Sequence, residues 1–461
     1  MSAQPDMTKQ SIVRPGSRAE AVRARLAEMT PGSAAINGRG HDVLAMEVVP
    51  TVDMPHPIYI ADAEGPYMTD VDGNRFIDLT MGFGTHVLGH RPAPVVEAVH
   101  AQADRGWHFG IHNPIQQDLA ALLVDAAPAV ESAVFCNSGT EATMYAMRVA
   151  RAFTAKEKVA LFDGSYHGAH DYALVKADAD SPRNRPTGKI LGSGVPSAIN
   201  ADTMMVLPYR DATAFDLIRA YKDELALVIV EPVQSSNPRL DQGDFLSDLI
   251  AVCRDCDVLV LLDEVITGFR LDYGGGQAHF EVMPDLATYG KALGGGFPIG
   301  AIGGRRDIMA LFSDHSGDKS IFSGGTFSGN PMTMAAGRAA ISHMRDKAGE
   351  IYPYLMEEGE RFSREINGFC RDHEIAAQVL SAGSMFHMRF QAAPINSWRD
   401  IDLKANPIAE REFYLHLLAQ GVIVPGIHLA FFSVAHRPEH VDSVIAAFKH
   451  AFSEVRADGL I

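Results

Sequence analysis

The stretch VLVLLDEVITGFR, residues 258–270, decides the fold class. It begins with five consecutive apolar residues and then changes abruptly to charged residues at Asp263. Similar short apolar runs occur at 133–136, 159–162 and 227–230, and segments long enough to form helices separate them. Continuous apolar strands joined by helices are typical of a mainly parallel sheet that helices cover on both faces. The sequence therefore predicts an α/β fold.

The pattern differs towards the two ends of the chain. Residues 19–29 have helical periodicity, and TPGSAAINGRG (30–40) is predicted to be a loop because it is rich in small residues. Residues 58–79 alternate apolar runs with EG and DG turns, which predicts a small antiparallel meander. Helices dominate again after about residue 345. We predict an N-terminal segment with the meander at 1–85, a large domain at 86–345 and a C-terminal small domain at 346–461. The small α+β domain is expected to be built from both chain ends.

Composition narrows the possible partners and the compartment. Forty basic and 57 acidic residues give a formal charge of −17, which disfavours nucleic acids and anionic membranes as partners. Four cysteines are too few for a disulfide scaffold, and the CxxC of Cys253 and Cys256 lacks the second pair that a zinc site needs. We expect no metal site, and a soluble cytoplasmic protein, since neither a signal peptide nor a membrane span is evident.

Two strand ends offer groups for binding a phosphorylated ring. NSGTEA (137–142) follows the first strand, and its Ser138, Gly139 and Thr140 would begin a helix whose free amides suit a phosphate. A plain Ser/Thr N-cap is the alternative reading of this motif. DGSYHGAHD (163–171) follows the second strand and presents Tyr166, which could stack on a planar ring or simply fill a surface turn.

A carboxylate and an amine complete this set of groups. Asp263 directly ends an apolar run, so it should be desolvated and needs a partner such as a protonated heterocyclic nitrogen. In LATYGKALGGGFPIGA (286–301), Lys291 is the only charged residue. Desolvation should lower the pKa of its ammonium and make a nucleophilic amine able to form a Schiff base. The four features together indicate pyridoxal 5'-phosphate (PLP) as the cofactor.

At this point the chain resembles a known family. NSGTEA, YHG, EPV, DEVITGFR, GKALGGGFPIGAIGG and GTFSGNP are similar, in order and spacing, to the motifs of class III aminotransferases of PLP fold type I. Within that family the resemblance is to the glutamate-1-semialdehyde 2,1-aminomutase subgroup and its aminotransferase relatives. It covers about residues 30–450, and implies a large PLP-binding domain at 86–345.

The resemblance assigns roles to residues of this chain. Lys291 would be the Schiff-base lysine and general base, and Asp263 the partner of the pyridine nitrogen. Ser138, Gly139 and Thr140 would hold the phosphate, while Tyr166 and Val265 would cover the two faces of the ring. Thr326 would reach the phosphate of a neighbouring subunit, which implies a homodimer. These roles imply ping-pong transamination between an amino acid and a keto acid.

Substrate residues are where the chain departs from the aminomutase pattern. Phe83 replaces a tryptophan, and His428 stands where aminomutases have an acidic residue. Arg39 matches the spacing of an arginine that binds a substrate carboxylate, or it is a solvated loop residue. We expect an aminotransferase for an amino acid, with an aromatic or bulky side chain given Phe83 and the nearby Trp107 and Phe109. The alternatives are an aminomutase, a racemase, or a catalytically silent PLP-binding regulator.

Overall fold

A computed structural model describes residues 13–40, 44, 55–313, 320–402, 406–426 and 429–461. The chain forms two compact units. The first unit comprises Met1–Pro92, Tyr354–Ile395 and Asp400–Ile461, and the second comprises Ala93–Pro353 and Asn396–Arg399. The first unit therefore takes residues from both ends of the chain. The domain boundaries that we place after residues 85 and 345 remain predictions.

A seven-stranded sheet forms the centre of the second unit. Its strands, in spatial order, are β4 (Ser132–Cys136), β12 (Gly300–Gly304), β11 (Leu286–Gly290), β10 (Leu259–Asp263), β9 (Leu225–Val230), β5 (Lys158–Phe162) and β8 (Met204–Leu207). Only β12 runs antiparallel to its neighbours. The four strands predicted from apolar runs are all present, and the predicted α/β fold with a mainly parallel sheet is confirmed.

Helices pack against this sheet. Those of the second unit are α4 (Ala93–Ala103), α5 (Pro114–Ala126), α6 (Gly139–Thr154), α7 (Thr213–Ala220), α8 (Gly243–Asp255), α9 (Gly275–His279), α10 (Arg306–Met309) and α11 (Pro331–Asp346). A two-stranded sheet of β6 (Val175–Ala177) and β7 (Gly188–Ile190) lies outside the main sheet. Strands β9, β10 and β11 are buried along their whole length, because side chains on both of their faces meet apolar neighbours.

The first unit holds two small sheets and several helices. One sheet has the order β1 (Ile60–Glu64), β2 (Tyr67–Asp70), β3 (Arg75–Asp78) and β15 (Val422–Ile423), and the other has β13 (Gln378–Ala382), β14 (Met385–Arg389) and β16 (Ala430–Phe431). Its helices are α1 (Arg18–Met29), α2 (Pro31–Gly40), the short turn α3 (Met81–Gly84), α12 (Ala348–Asp372) from Tyr354 onward, α13 (Pro407–Ala419) and α14 (Pro438–Ala457). β1, β2 and β3 form the predicted antiparallel meander.

The prediction of a loop at 30–40 is wrong, because Pro31–Gly40 is helical. Pro31 occupies the first helical position, where its fixed φ suits a helix and its missing N–H costs nothing. The amides of Gly32 and Ser33 donate to the two carboxylate oxygens of Asp72, at 2.7 and 3.1 Å. Asp72 lies in the turn between β2 and β3, so a residue distant in sequence satisfies the helix start.

Two further local features of the fold bear on the argument. The four residues of α3 all have positive φ, with 43° at Met81, 60° at Gly82, 56° at Phe83 and 90° at Gly84, so this segment is a left-handed turn. In the described part of the chain, no helix is both long enough and apolar enough to cross a lipid bilayer.

Candidate active site

The carboxyl edge of the seven-stranded sheet gathers most of the predicted site residues. Strands β4, β5, β9, β10 and β11 run in the same direction, so the segments that follow them emerge at one edge of the sheet. Ligands of open α/β sheets bind at this edge. The predicted residues of the second unit that end or follow these strands are Ser138, Gly139, Thr140, Tyr166, Asp263, Val265 and Lys291.

The start of α6 has the geometry of a helix N-terminus capped by Ser138. Ser138 has an extended backbone, and its Oγ accepts a hydrogen bond from the Glu141 amide at 3.1 Å. The Glu141 carboxylate in turn accepts from the Asn137 amide at 2.5 Å. A helix start leaves its first amides without intrahelical acceptors. In the described part of the chain, those of Gly139 and Thr140 donate to no protein acceptor.

Val265 packs directly on this helix start. A side chain at Gly139 would place its Cβ 2.9 Å from Val265 Cγ1, so glycine is required there for the close approach. Gly290, the last residue of β11, also lies against Val265, with a Cβ-to-Cγ1 distance of 3.3 Å for an added side chain. Val265 is therefore enclosed between the predicted phosphate-binding amides and the residue that precedes Lys291.

Lys291 begins a short 3-10 turn immediately after β11. Its φ is 44°, in the left-handed region that few lysines adopt. Part of its surface is accessible, although protein atoms surround the ammonium. Burial, assisted by the positive charge of Arg270, lowers the pKa of Lys291 to about 8, while Asp263 and Glu231 act in the opposite direction. The lowered pKa increases the fraction of neutral, nucleophilic amine near neutral pH.

Asp263 is held by three hydrogen bonds at the end of β10. Its Oδ1 accepts from the Thr288 hydroxyl at 3.0 Å and from the Val265 amide at 3.2 Å. Its Oδ2 lies 2.7 Å from Nδ1 of His167. Asp263 and His167 are only 5% and 2% exposed. A desolvated carboxylate fixed in this way can hold a positive charge next to it.

The loop after β5 supplies an aromatic ring and this histidine. The Tyr166 amide donates to Oε2 of Glu231 at 3.1 Å, and the Tyr166 ring is 42% exposed. Burial and the charge of Asp263 raise the pKa of the Tyr166 phenol. The loop then returns to α6, because the Ala169 amide donates to Oγ1 of Thr140 at 3.2 Å. It therefore connects Tyr166 and His167 with the predicted phosphate site.

Glu231 lies behind this loop. Its Oε1 accepts a hydrogen bond from the Ser235 amide at 3.2 Å. Burial raises the pKa of Glu231 to about 7, and the charge of His167 counteracts part of that rise. The carboxyl therefore changes its protonation state near neutral pH.

Thr326 lies in a loop that is attached to the same helix start. Asn137 Nδ2 donates to the Ser328 hydroxyl at 3.3 Å, and the Tyr145 hydroxyl of α6 donates to the Gly324 carbonyl at 2.9 Å. Thr326 itself is exposed, between these two anchors.

The three predicted substrate residues are not among the described residues of the second unit. Arg39 and Phe83 belong to the first unit, where Arg39 is exposed in the last turn of α2 and Phe83 is half-buried in the left-handed turn. His428 lies outside the described residues. Their roles toward a substrate remain predictions.

Sequence reasoning gave no role to three residues of this site. His167 and Glu231 were visible beside the motifs YHG and EPV, but only the fold shows their contacts with Asp263 and Tyr166. Thr288 had a weaker signal, as the one aliphatic hydroxyl in a strand, β11, whose other residues are Leu, Ala, Tyr and Gly. A buried polar residue in such a strand needs a hydrogen-bond partner.

Known proteins that are similar to this chain in sequence identify its family. The family model "Aminotransferase class-III" matches residues 48–452. The chain belongs to the class III aminotransferases. Glutamate-1-semialdehyde 2,1-aminomutase of Methanothermobacter thermautotrophicus is 34% identical over 411 residues, which is 87% of this chain and 94% of that protein. The chain is a PLP-dependent enzyme of fold type I, as predicted.

Solved structures of transaminases also match. An omega-transaminase from Sphaerobacter thermophilus has a TM-score of 0.86 and 30% identity, covering 96% of this chain and 99% of that one. A β-phenylalanine aminotransferase from Variovorax paradoxus has a TM-score of 0.84 and 29% identity, covering 95% and 97%.

The residues present fit PLP. Two amides at the start of α6 have no acceptor among the described residues and suit a phosphate. The carboxylate of Asp263 suits a protonated pyridine nitrogen, and the amine of Lys291 suits an aldehyde.

Proposed function

We propose that this enzyme is an aminotransferase that moves an amino group between an amino acid and a keto acid by a ping-pong mechanism. The amine of Lys291, at the end of β11, is influenced by the charge of the histidine-bound Asp263 at the end of β10. The start of α6 packs on Val265 between them and offers free amides. This arrangement is the observation that carries the proposal.

Each group would hold one part of the cofactor. The amides of Gly139 and Thr140, with the Ser138 and Thr140 hydroxyls, would bind the phosphate. Asp263 would keep a proton on the ring nitrogen, since His167 and Thr288 hold its carboxylate in place. Tyr166 and Val265 would cover the two ring faces. When bound, PLP supplies an aldehyde for the amine and a conjugated ring that accepts negative charge.

Lys291 would do the proton transfers. Its pKa of about 8 leaves Nζ neutral in about a tenth of the molecules at pH 7, far more than for an ordinary lysine. A neutral Nζ can accept the proton of the substrate α-carbon and can return it to another carbon, as general base and then general acid. The ring-nitrogen proton held at Asp263 favours the same step, because it draws negative charge away from the α-carbon.

Two observations support an amino acid with an aromatic or bulky side chain. Phe83 stands where the aminomutase subgroup has a tryptophan, and His428 stands where that subgroup has an acidic residue. The solved β-phenylalanine aminotransferase is 29% identical over almost the whole chain. Arg39 would bind the substrate carboxylate.

We also propose that the enzyme is a homodimer in which Thr326 contributes to the partner's phosphate site. Apolar side chains are exposed around Thr326: Phe322 is 82% exposed and Phe327 is 59% exposed. Trp107 and Ile111, in another segment of the same unit, are 70% and 79% exposed. Exposed apolar clusters of this kind mark protein interaction sites. The four cysteines, all free, favour a reducing, cytoplasmic compartment.

The second candidate, an aminomutase, is favoured by the names of the curated relatives. One stoichiometry experiment separates the two. The purified enzyme with PLP is given a single amino substrate and no keto acid, and product is counted per active site. A transferase stops at one equivalent and resumes when keto acid is added. Repeated turnover without keto acid would contradict the transferase and support a mutase or racemase.

The panel of substrates for this experiment should pair an aromatic amino acid with alanine and with glutamate-1-semialdehyde. Faster first-equivalent formation from the aromatic amino acid supports the proposed substrate class. Multiple turnovers with glutamate-1-semialdehyde alone would establish the aminomutase instead.

A further inference from the structure

A short segment, Asn396–Arg399, packs within the second unit although the residues on both sides of it belong to the first. We call it the finger segment. Asn237 Nδ2 donates to the Asn396 carbonyl at 3.4 Å, and Arg183 donates to the Arg399 carbonyl at 2.9 Å. These contacts fix both ends of the finger segment to other residues of the second unit.

Arg399, at the end of the finger segment, forms a buried ion pair with Asp163. Its Nε donates to Asp163 Oδ2, and the two side chains are only 9% and 6% exposed. The guanidinium also donates to the Ser181 carbonyl at 2.6 Å and to the Ser181 hydroxyl at 3.0 Å. Burial raises the pKa of Asp163, and the hydrogen bond and charge of Arg399 oppose that rise. A guanidinium bound in this way has one orientation.

Trp398 adds a packing contact to the same spot. Gly164, the residue after Asp163, has a φ of 82°. A side chain there would bring its Cβ within 2.4 Å of Trp398 Cβ. The Gly164 carbonyl accepts from the Ser236 hydroxyl at 2.7 Å. The finger segment and the backbone of Gly164 are therefore in direct contact, with no space for another residue type.

Asp163 and Gly164 begin the loop that carries Tyr166 and His167. Only Ser165 separates Gly164 from Tyr166, and its hydroxyl is tied to the Phe162 carbonyl at 2.7 Å. The far end of the loop is anchored as well, since the Thr143 hydroxyl donates to the His167 carbonyl at 2.7 Å. The position of Asp163 and Gly164 therefore restricts the position of His167, because the residues between them are held by hydrogen bonds.

We propose that Arg399 is a positioning residue for the active site. By holding Asp163, it sets the position of the loop that places Tyr166 and the imidazole of His167, and through His167 the carboxylate of Asp263. Arg399 touches neither substrate nor cofactor in this proposal. The inference rests on the proposed assignment of the PLP site to Lys291, Asp263 and Tyr166.

The test compares Arg399→Met with Arg399→Lys and with a control, Arg305→Met. Arg305 forms ion pairs with Asp285 and Asp307 at 2.7 and 2.6 Å, and Asp285 directly precedes β11, at the opposite edge of the sheet from Lys291. Two properties of the purified proteins are measured: the dissociation constant for PLP, and the pH midpoint of the visible band of the bound cofactor.

Arg399→Met is expected to raise the dissociation constant about tenfold and to shift the pH midpoint, because a displaced His167 no longer holds Asp263 in place. The dissociation constant and pH midpoint of Arg399→Lys should lie between those of Arg399→Met and the parent protein. A lysine keeps one charged contact with Asp163 but lacks the several donors of a guanidinium. Arg305→Met should match the parent protein. A dissociation constant and pH midpoint that stay at the parent values in Arg399→Met would overturn the proposal, whatever happens to the melting temperature.

A double variant separates positioning from stability. Arg399→Met leaves a buried unpaired carboxylate, which alone can destabilise the fold. Adding Asp163→Asn removes that charge, so the double variant should recover stability while its PLP affinity stays low. Recovery of both properties together would overturn the positioning role. This comparison remains available if the single variant does not fold.

Two further measurements keep the inference separate from the site assignment. The chain has two tryptophans. In a Trp107→Phe background, emission from Trp398 should shift to longer wavelength in Arg399→Met apoprotein, since release of the finger segment exposes the indole. An unchanged emission would contradict the proposed contact. Lys291→Ala is measured in parallel. If Lys291→Ala keeps the visible band, the assignment of the PLP site fails. If Lys291→Ala loses the band while Arg399→Met behaves like the parent protein, only the positioning role of Arg399 is overturned.

Discussion

His167 Nδ1 lies 2.7 Å from Asp263 Oδ2, and both side chains are buried at the carboxyl edge of the sheet. The imidazole approaches one carboxylate oxygen, while Thr288 and the Val265 amide bind the other. The pair joins the loop after β5 to the end of β10. In the proposed site, a carboxylate held in this way would keep a neighbouring ring nitrogen protonated.

Asp263→Asn is therefore expected to fold and to bind PLP, but to lose activity by about a hundredfold or more, since a neutral amide no longer favours the protonated ring. The measurement is kcat with the best amino donor, together with the visible spectrum. Asp285→Asn, at the opposite edge of the sheet, is the matched control and should retain activity. Near-normal rates for Asp263→Asn would reduce Asp263 to a structural role.

His167→Leu tests the partner in this pair. Removing the imidazole leaves Oδ2 of Asp263 buried without its hydrogen-bonding neighbour, which should let the carboxylate move and weaken its hold on a ring proton. We expect kcat to fall by about tenfold, with the pH range of activity altered. His167→Gln, which keeps a donor, should be less affected. Equal losses in the two variants would point to packing rather than hydrogen bonding.

Lys291 should titrate in the range that its burial predicts. Its pKa is lowered to about 8, so the ammonium, which has no free electron pair, predominates below that pH. The rate at which apoprotein gains the visible band after PLP addition should rise with pH and level off above about pH 8. Lys291→Ala should give no band at any pH. A rate independent of pH between about pH 6 and pH 9 would contradict the lowered pKa.

Glu231→Gln should change how stability depends on pH. Burial raises the folded-state pKa of Glu231 to about 7, above the ordinary value of 4.5, so this carboxyl contributes stability at low pH that is lost as pH rises through 7. Glutamine does not titrate. The free energy of unfolding of Glu231→Gln, relative to the parent, should therefore increase by up to about 3 kcal/mol between about pH 5 and pH 8. Parallel stability curves for the two proteins would show that Glu231 is ionised throughout.

Arg39 should set the preference for substrates that carry a carboxylate. A guanidinium binds a carboxylate through two parallel hydrogen bonds. Arg39→Ala is expected to raise KM for amino acids by about thirtyfold, equivalent to about 2 kcal/mol, and to leave amines without a carboxylate nearly unchanged. Arg18→Ala, in α1, serves as a control for loss of a surface arginine. Equal effects on both substrate types would show that Arg39 is a solvent-exposed residue of α2 that does not bind the substrate carboxylate.

The sequence predicted the sheet and most of its carboxyl edge because the relevant signals are local. An apolar run ending at Asp263, a helix start at Ser138 and a glycine-flanked Lys291 are each visible within a few residues. Parallel strands then bring their ends to one edge without further information.

The parts that were missed depend on contacts between distant residues. Helix α2 begins where it does because Asp72 accepts hydrogen bonds from the amides of Gly32 and Ser33, a contact that spans about forty residues. Likewise, nothing near Asp163 in the sequence identifies Arg399 as its partner. The periodicity of apolar residues within a short window cannot identify pairs of residues that are far apart in sequence.

The left-handed turn Met81–Gly84 restricts which substitutions position 83 can accept. Residues other than glycine, asparagine and aspartate are strained by about 1 kcal/mol or more at positive φ, and β-branched residues are strained most. Mutant libraries at Phe83 should therefore be skewed: valine, isoleucine and threonine would be depleted by failure to fold rather than by failure to bind. Glycine would be enriched among stable clones, although it removes the side chain. In the proposed substrate role of Phe83, the backbone therefore limits which residue types can alter specificity at this position, before any contact with a ligand is considered.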